Sequence, residues 1–399
     1  MFGNLRVLKN ALRWSIVIGQ AILATRVILR LFATSRGVAI AATPAATSAA
    51  TSAATSHEET SGTLSIVVPV LDEEQRLGPC LDALRFAGEL VREILVVDGG
   101  SRDATLAIVR TAAARDPRVR LIEAADAPAG WNGKAWNLQT GLCASDPRCR
   151  AILMLDADVR PAPGLCRALV AHAETFGLAA FSVATHQRLA GPIDALLHPS
   201  MLATLVYRFG MPGTAASSPA RVQANGQCFF VARDLLERTD AIAAARDSRC
   251  EDVTIARAIA LSGTAVGFYE APGLVSVEMY ASWRELLQNW PRSLPMRDRY
   301  SRIAAWVGLA EVFALAALPP WMFVTSLFRS NASARARVFR NLQLGLILMR
   351  LGTLAGMHRA YDAPGPWYWL SPVSDLPVSA LLVASALRRR HSWRGRTLV

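Results

Sequence analysis

LMLDADVRP, residues 153–161, is the stretch on which the reading of this chain turns. An apolar run stops abruptly at two aspartates one residue apart, Asp156 and Asp158. A buried strand that delivers paired carboxylates to its C-terminal end has a task beyond packing. Two hard oxygen ligands at that spacing suit Mg²⁺ or Mn²⁺, and such ions usually travel with phosphate-bearing substrates. Taken alone, Asp-x-Asp fits a solvated turn equally well. Its neighbours tilt the balance.

Two other segments have the same grammar. Residues 64–70 are a β-branched run containing Pro69, followed by the acids Asp72, Glu73 and Glu74. Residues 94–97 are a second short apolar run, broken by Asp98-Gly99-Gly100 and followed by Ser101 and Asp103. Continuous apolar runs of this length read as strands buried on both faces, hence parallel, with helices between them. The intervening helices are expected at 75–92 and 103–115, the second capped by Ser101 or Asp103. Residues 119–122 supply one more strand. The expected class is therefore α/β, with a mostly parallel sheet flanked by helices. In such a sheet the carboxylate-bearing strand ends share one edge, where ligands bind.

Between the second and third of these segments, the loop Gly130-Trp131-Asn132-Gly133-Lys134 opens a helix at about Ala135. Backbone N–H groups at a helix start and a lysine ammonium together suit a phosphate. The plainer alternative is a loop whose tryptophan packs on the sheet while Lys134 is solvated.

Composition frames the rest. The chain has 399 residues, 52% of them hydrophobic, with mean hydropathy +0.27. That leaves room for a catalytic domain and something more apolar. Net charge is +12, and the 43 basic residues are nearly all arginine. They cluster beside apolar segments and do not alternate with aromatics. We read them as membrane-flanking charges and expect no nucleic-acid partner. Six cysteines form no CxxC pair and no histidine stands at zinc-finger spacing, which favours reduced thiols, with a Cys143–Cys149 link as the alternative.

The ordered set PVLDEE (69–74), VVDGGSRDAT (96–105), GWNGKAW (130–136), LDADV (155–159), NGQCFF (225–230) and CEDV (250–253) resembles the family 2 glycosyltransferases, which have the GT-A fold. The GWNGK loop, with WLSPVSDLP (369–377) and WRGRT (393–397), is similar to a membrane-bound subgroup that includes hopanoid-associated and carotenoid (diaponeurosporenoate-type) glycosyltransferases. The resemblance spans residues 64–399. It implies that Pro69, Asp72 and Glu73 line a nucleotide pocket. It implies that Asp98, with Ser101 beside it, receives the base, and that Lys134 sits near the diphosphate. Relatives carry Asp-Asp-Gly-Ser where this chain has Asp98-Gly99-Gly100-Ser101, so one ribose or base contact is in doubt. Asp156 and Asp158 correspond to the family's DxD element, with Asp158 the better ligand for Mg²⁺ or Mn²⁺ and Asp156 nearer the ribose. The implied donor is a nucleotide-diphospho-sugar, a UDP-sugar first.

Sugar transfer to a hydroxyl needs a carboxylate across the anomeric carbon from the leaving group. Glu251-Asp252 precedes a helical pattern and is the candidate, although helix capping alone would explain one of the two acids. The resemblance makes Asp252 the general base and leaves Glu251 to orient it or the acceptor. One base and direct displacement imply inversion. In relatives the loop Asn225-Gly226 approaches the donor sugar; a simple turn is the other reading. Gln288-Asn289-Trp290 with Arg292 matches the QxxRW motif of processive relatives incompletely, which favours transfer of a single sugar.

The last hundred residues read as membrane-associated. Residues 303–328 are apolar with one acid, Glu311, and a Pro319-Pro320 break; 342–357 are apolar apart from Arg350; 376–387 form a third segment. Arg329, Arg335, Arg337 and Arg340 lie between the first and second, and Arg388, Arg389, Arg390, Arg394 and Arg396 follow the third. The positive-inside rule asks for both groups on the cytoplasmic side, with the catalytic domain. That expects the first segment to turn back at the prolines and the other two to cross as a pair. Glu311 and Arg350 are intramembrane charges worth testing as a pair. Residues 12–32, interrupted by Arg13, Arg26 and Arg30, make a poor span; an amphipathic surface helix and a start site placed too far upstream are the two readings. Residues 38–62 read as Ala/Thr/Ser linker.

The expected division is thus 1–63 for the N-terminal segment and linker, 64–300 for the GT-A domain, and 301–399 for the membrane-associated helices. The expected activity is transfer of one sugar to a hydroxyl of a membrane lipid of hopanoid, carotenoid or similar type, at the cell inner membrane. A polyprenyl-phosphate or ceramide-type acceptor is the alternative. Rivals from other classes are a nucleotidyltransferase, disfavoured because the loop after the first strand is acidic where a glycine-rich one is usual, and a non-catalytic membrane scaffold with the same fold.

Overall fold

The three carboxylate-ended runs lie side by side as parallel strands in the computed structural model, which describes residues 2–42, 62–280, 282–296, 298–328, 333–388, 391–393 and 396–398. The strands are β1 (Leu64–Val70), β2 (Val91–Asp98), β3 (Val119–Glu123), β4 (Ala151–Leu155), β5 (Val159–Pro161), β6 (Ala180–Ala184), β7 (His186–Gln187), β8 (Thr214–Ala216), β9 (Cys228–Ala232), β10 (Val266–Glu270) and β11 (Val275–Val277). Eight form the main sheet in the order β3-β2-β1-β4-β9-β6-β10-β8, and β5-β11-β7 form a small second sheet. The fold is α/β of the GT-A kind, with apolar helices beyond it.

Every residue of β1 and β4 is buried. Alternation then sorts them to two cores. Ile66, Val68 and Ile94 meet Leu77, Leu81 and Leu165 on one face. Val67, Leu95 and Val97 meet Leu138, Leu142, Val253 and Ile259 on the other. Burial on both faces is why these runs look continuous and not alternating. The helix Gly133–Ala144 approaches β1 so closely that a Cβ on Gly141 would lie 2.4 Å from Val67 Cγ1.

Register fixes the functional edge. Val70 pairs with Asp98, and Val67 with Met154, so the ends of β1, β2 and β4 emerge together. β9 runs antiparallel to β4, with Leu155 opposite Cys228. Its N-terminal lead-in, Asn225-Gly226-Gln227, is therefore delivered to the same edge that β4 leaves through Asp156. The helix expected at 75–92 is shorter, Leu77–Leu84, and the next is Thr105–Arg115. Of the two expected capping residues Asp103 serves: its Oδ1 accepts the Thr105 N–H at 2.9 Å, one residue ahead of the flanking Ala104, and Ser101 does not.

The apolar helices correct several expectations. Phe2–Thr34 is one helix, and its part from Trp14 to Thr34 is long and apolar enough to cross a membrane. Two others share that property, Arg302–Leu327 and Pro366–Leu387. The segment 342–357 does not; it belongs to the helix Ala334–Met357, whose first turns carry Arg335, Arg337 and Arg340. The chain does not turn back at Pro319-Pro320. A π turn, Phe313–Ala317, precedes them, and they occupy the start of the helix Leu318–Leu327, where a missing N–H costs least.

The helices 302–327 and 334–357 pack on each other as a hairpin. Tyr300, just before it, packs on Phe209 and under Arg257 of the α/β domain, while Met357 at its other end reaches a cavity shared with Asp252. The arginines 335, 337 and 340 therefore sit at the closed end, away from the α/β domain. Arg329 and the 43–61 part of the linker lie outside the described residues, as do Arg389, Arg390 and Arg394.

The Glu311–Arg350 pair does not form. Glu311, 1% exposed, binds Arg26 at 2.9 Å and Arg30 at 3.0 Å. Arg350 makes a two-pronged pair with Asp375 at 2.8 and 3.0 Å, and Asp375 also accepts from Ser200 Oγ. All six cysteines are free thiols, so Cys143 and Cys149 are not linked.

Candidate active site

A cleft of about 680 Å³ opens at the carboxylate edge of the sheet. Its floor includes Pro69 in the last residues of β1, Asp72 and Glu73 after it, Gly99 after β2, and Asp156 and Asp158 after β4. Gly226 and Gln227 enter from the lead-in to β9, Lys134 from the first turn of Gly133–Ala144, and Glu251 and Asp252 from the first turn of Glu251–Leu261.

Two loops close one end by reciprocal hydrogen bonds. Asp72 N donates to Ser101 Oγ at 2.9 Å, and Asp72 Oδ1 accepts from Arg102 N at 2.8 Å. Glu74 and residues 103–104 repeat the exchange one step on. Asp72 holds a left-handed backbone (φ 53°), which aspartate tolerates better than most residues. Asp98 is placed differently from the other candidates. It is 3% exposed, and its carboxylate accepts the N–H groups of Gly100 and Ser101 and the Ser101 hydroxyl. Asp98 and Ser101 thus shape the loop from beneath, while Gly99 faces the cleft. The departure at Gly99 has a local cause: a Cβ there would lie 2.9 Å from Asn137 Nδ2, which bonds the carbonyls of Val70 and Val97 and ties the two strand ends together.

Lys134 stands at the centre. Its Nζ is 2.8 Å from Asp156 Oδ1 and 2.8 Å from Glu251 Oε1, so one ammonium joins the acids after β4 to the acids of the Glu251 helix. Burial works against the charged ammonium, but Asp156 and Glu251 outweigh it and hold its pKa well above the ordinary value. Asn132 caps the helix behind it, accepting from Ala135 N at 2.8 Å. For Glu251, burial pushes upward and Lys134 pushes downward more strongly, leaving a lowered pKa.

Asp158 lacks such a partner. Its Oδ1 is buried with no hydrogen bond, and Oδ2 meets only a long contact to Gln227 Nε2 at 3.4 Å. Burial, then Asp156 and Glu73, push its carboxyl up to about 7. A carboxylate held against two others is short of positive charge, and a divalent cation fits that deficit. Among the described residues no group of three or more Asp, Glu, His or Cys could hold a metal unaided. Two aspartates would leave the remaining positions to phosphate oxygens and water, as Mg²⁺ usually arranges.

Asp252 is the other carboxylate pushed up, to about 6, by burial and then by Glu251. It is held firmly nonetheless. Gly226 N donates to Oδ2 at 2.7 Å; Val253 N, at 2.7 Å, and Cys250 Sγ, at 3.0 Å, donate to Oδ1. Cys250 was not anticipated, and its place two residues before the acid is its only sequence signal. The Asn225 side chain donates to Thr185 Oγ1 and Gln227 Oε1, so it stiffens the loop that presents Gly226. Residues 285–293 form the cleft's outer wall, with Asn289, Trp290 and Arg292 lining it and an Arg76–Glu285 ion pair fastening the wall to the floor.

Residues 65–193 match the model of Glycosyl transferase family 2. That segment is about a third of the chain and holds β1 to β7 with Asp72, Glu73, Asp156 and Asp158. Among solved structures, a mannosyltransferase, PcManGT, from Pyrobaculum calidifontis, in complex with GDP-Man and Mn²⁺, is 17% identical. The match covers 94% of this chain and 97% of that one with a TM-score of 0.52, so the likeness of fold reaches past the domain into the apolar helices. Glucosyl-3-phosphoglycerate synthase from Mycobacterium tuberculosis, with Mn²⁺, UDP and glucosyl-3-phosphoglycerate, is 20% identical over 60% of this chain and 81% of its own, with a TM-score of 0.40. No curated protein sequence matches this chain.

Proposed function

We propose that the enzyme transfers one hexose from a nucleotide-diphospho-sugar, a UDP-sugar first, to a hydroxyl of a membrane lipid, with inversion. The observation that carries this reading is a junction. A second, mostly apolar cavity of about 160 Å³ meets the polar cleft at Asp252, Asn225 and Trp290, which line both. Leu202, Leu205 and Val206, from the helix Pro192–Phe209, and Met357, from the helix Ala334–Met357, also line it. A donor in the cleft and an apolar acceptor in the cavity would converge on one carboxylate.

In this reading Asp252 takes the proton from the acceptor hydroxyl as its oxygen attacks the anomeric carbon, and the bond to the nucleoside diphosphate breaks on the opposite side. Gly226 N–H and Cys250 hold Asp252 in position. Glu251 keeps Lys134 close, and Lys134 offers its ammonium to the diphosphate. Asp158 and Asp156 would hold Mg²⁺ or Mn²⁺; when bound, the ion neutralises charge on the departing diphosphate. Asp72 and Glu73 flank the nucleoside end. The catalytic domain is assigned to the cytoplasmic face of the inner membrane, where nucleotide sugars are made, with the domain limits 64–300 and 301–399.

The test is transfer from labelled UDP- and GDP-sugars by membranes containing this chain, with Mn²⁺ or EDTA and with host lipid extract. A labelled, organic-extractable product that requires metal and Asp252 supports the proposal. Nucleotide binding with no product from any donor, lipid extract included, supports the scaffold reading.

A further inference from the structure

The apolar cavity contains a group for which lipid transfer alone has no use. His198, on the helix Pro192–Phe209, is 5% exposed. Its Nδ1 lies 3.0 Å from the Tyr361 hydroxyl, and its ring packs on Trp290 with centroids 4.4 Å apart. Its Nε2 is buried without a hydrogen-bond partner, and the residue lines the same cavity as Asp252. His186 Nε2, at the same cavity, is also buried and unpartnered. A buried polar atom left unpaired is costly, so one held rigidly in an apolar chamber is best explained by a ligand that pairs with it.

The charges say what sort of ligand. Burial lowers the His198 pKa to about 3, so the ring is neutral. Glu270 and Asp252 line the cavity, and among the described lining residues Arg359 is the only Lys or Arg; it is exposed and faces Glu270. Lys134, Arg76 and Arg292 all line the polar cleft instead. A phosphate head in the cavity would meet two acids and no buried cation. A hydroxyl has no such difficulty. It can accept from Nε2 if Tyr361 donates to Nδ1, and donate to Nε2 in the other tautomer.

We propose that this cavity binds a neutral lipid alcohol carrying a second hydroxyl, which hydrogen-bonds His198 Nε2 while the first meets Asp252. The inference rests on the lipid-acceptor reading and narrows it: His198 selects a polyhydroxylated neutral acceptor over a mono-alcohol and over a polyprenyl phosphate. A site built to pair a hydroxyl discriminates strongly against an analogue lacking it, because its own polar group is then stranded.

The experiment uses the full chain in lipid nanodiscs, with the labelled donor it accepts and three acceptors. These are a long-chain vicinal diol, the matching mono-alcohol and a polyprenyl phosphate. Wild type is expected to favour the diol by about tenfold or more in kcat/KM. His198→Leu should bring the diol and mono-alcohol within about twofold of each other, mainly through the KM of the diol, and His198→Gln should restore part of the preference. Equal use of diol and mono-alcohol by wild type overturns the proposal without using any variant. So does a preference that survives His198→Leu, or better use of the phosphate, and in these cases lipid transfer itself stands. Labelling of water or soluble sugars but of none of the three lipids overturns the lipid-acceptor reading first, and this inference with it.

Discussion

The polar cleft and the apolar helices treat buried charge in opposite ways. Among the helices, acids are matched closely: Glu311 has Arg26 and Arg30, and Asp375 has both prongs of Arg350. In the cleft, Asp156 and Glu251 share Lys134, Glu73 meets Arg76, and Asp158 and Asp252 form no ion pair among the described residues and are pushed up to about 7 and about 6. Matched charges hold helices in register. Mismatched ones store an affinity for something positive, or for a proton. The contrast sets structural ion pairs apart from the carboxylates proposed to work, without reference to any relative.

The comparison can be broken in order of expected effect. Asp252→Asn keeps size and the Gly226 contact but removes the base, and should lower kcat by about 10²–10⁴-fold with nucleotide binding retained; turnover and nucleotide titration measured together check it. Asp375→Ala should leave Arg350 buried and alone, costing about 3–5 kcal/mol. Thermal unfolding in detergent is the readout, and a loss of activity without a loss of stability would blur the distinction drawn above. Lys134→Met should weaken donor binding by roughly tenfold, by analogy with other buried charge-assisted contacts worth about 1.5–3 kcal/mol; the KM for donor reports it.

The pH profile sharpens the same point. As the proposed base Asp252 would work ionised, and burial with Glu251 beside it raises its pKa to about 6. Activity should therefore rise with pH through about 6 and level off above it. Glu251→Gln removes a neighbouring negative charge and should move that limb to lower pH. The smallest effect is expected from Cys250→Ala, which deletes one weak donor to Asp252 and should cost only a few-fold in kcat, about 0.5–1.5 kcal/mol.

What could be read from sequence follows from how local each signal is. The ends of β1, β2 and β4 were legible because a strand buried on both faces writes a continuous apolar run, and the acid after it has no packing role. The helix starts at Gly133 and Glu251 were legible for a similar reason. Asp98 was readable as a strand end but not as a residue facing inward, since that depends on N–H groups of the next turn. The apolar helices misled more. Hydropathy scores Arg26 and Arg30 as solvated, whereas their partner Glu311 is 285 and 281 positions away. Pro319-Pro320 looked like a break because the π turn that accommodates them leaves no mark in composition. Asp375, beside Pro372 and Pro377, gave no hint that it was the mate of Arg350. His198 passed unnoticed because one histidine in an apolar helix is usually core.

The grip of Arg26 and Arg30 on Glu311 also has a temporal side. At about 5–20 residues per second, synthesis takes roughly 15–60 seconds to travel from those arginines to the glutamate that neutralises them. Through that interval the whole catalytic domain emerges while the first helix carries unpaired charge. The helix that begins the chain is thus committed to its final place only after the domain between has been made, and separate expression of either half should yield an apolar foot that associates with whatever supplies the missing charge.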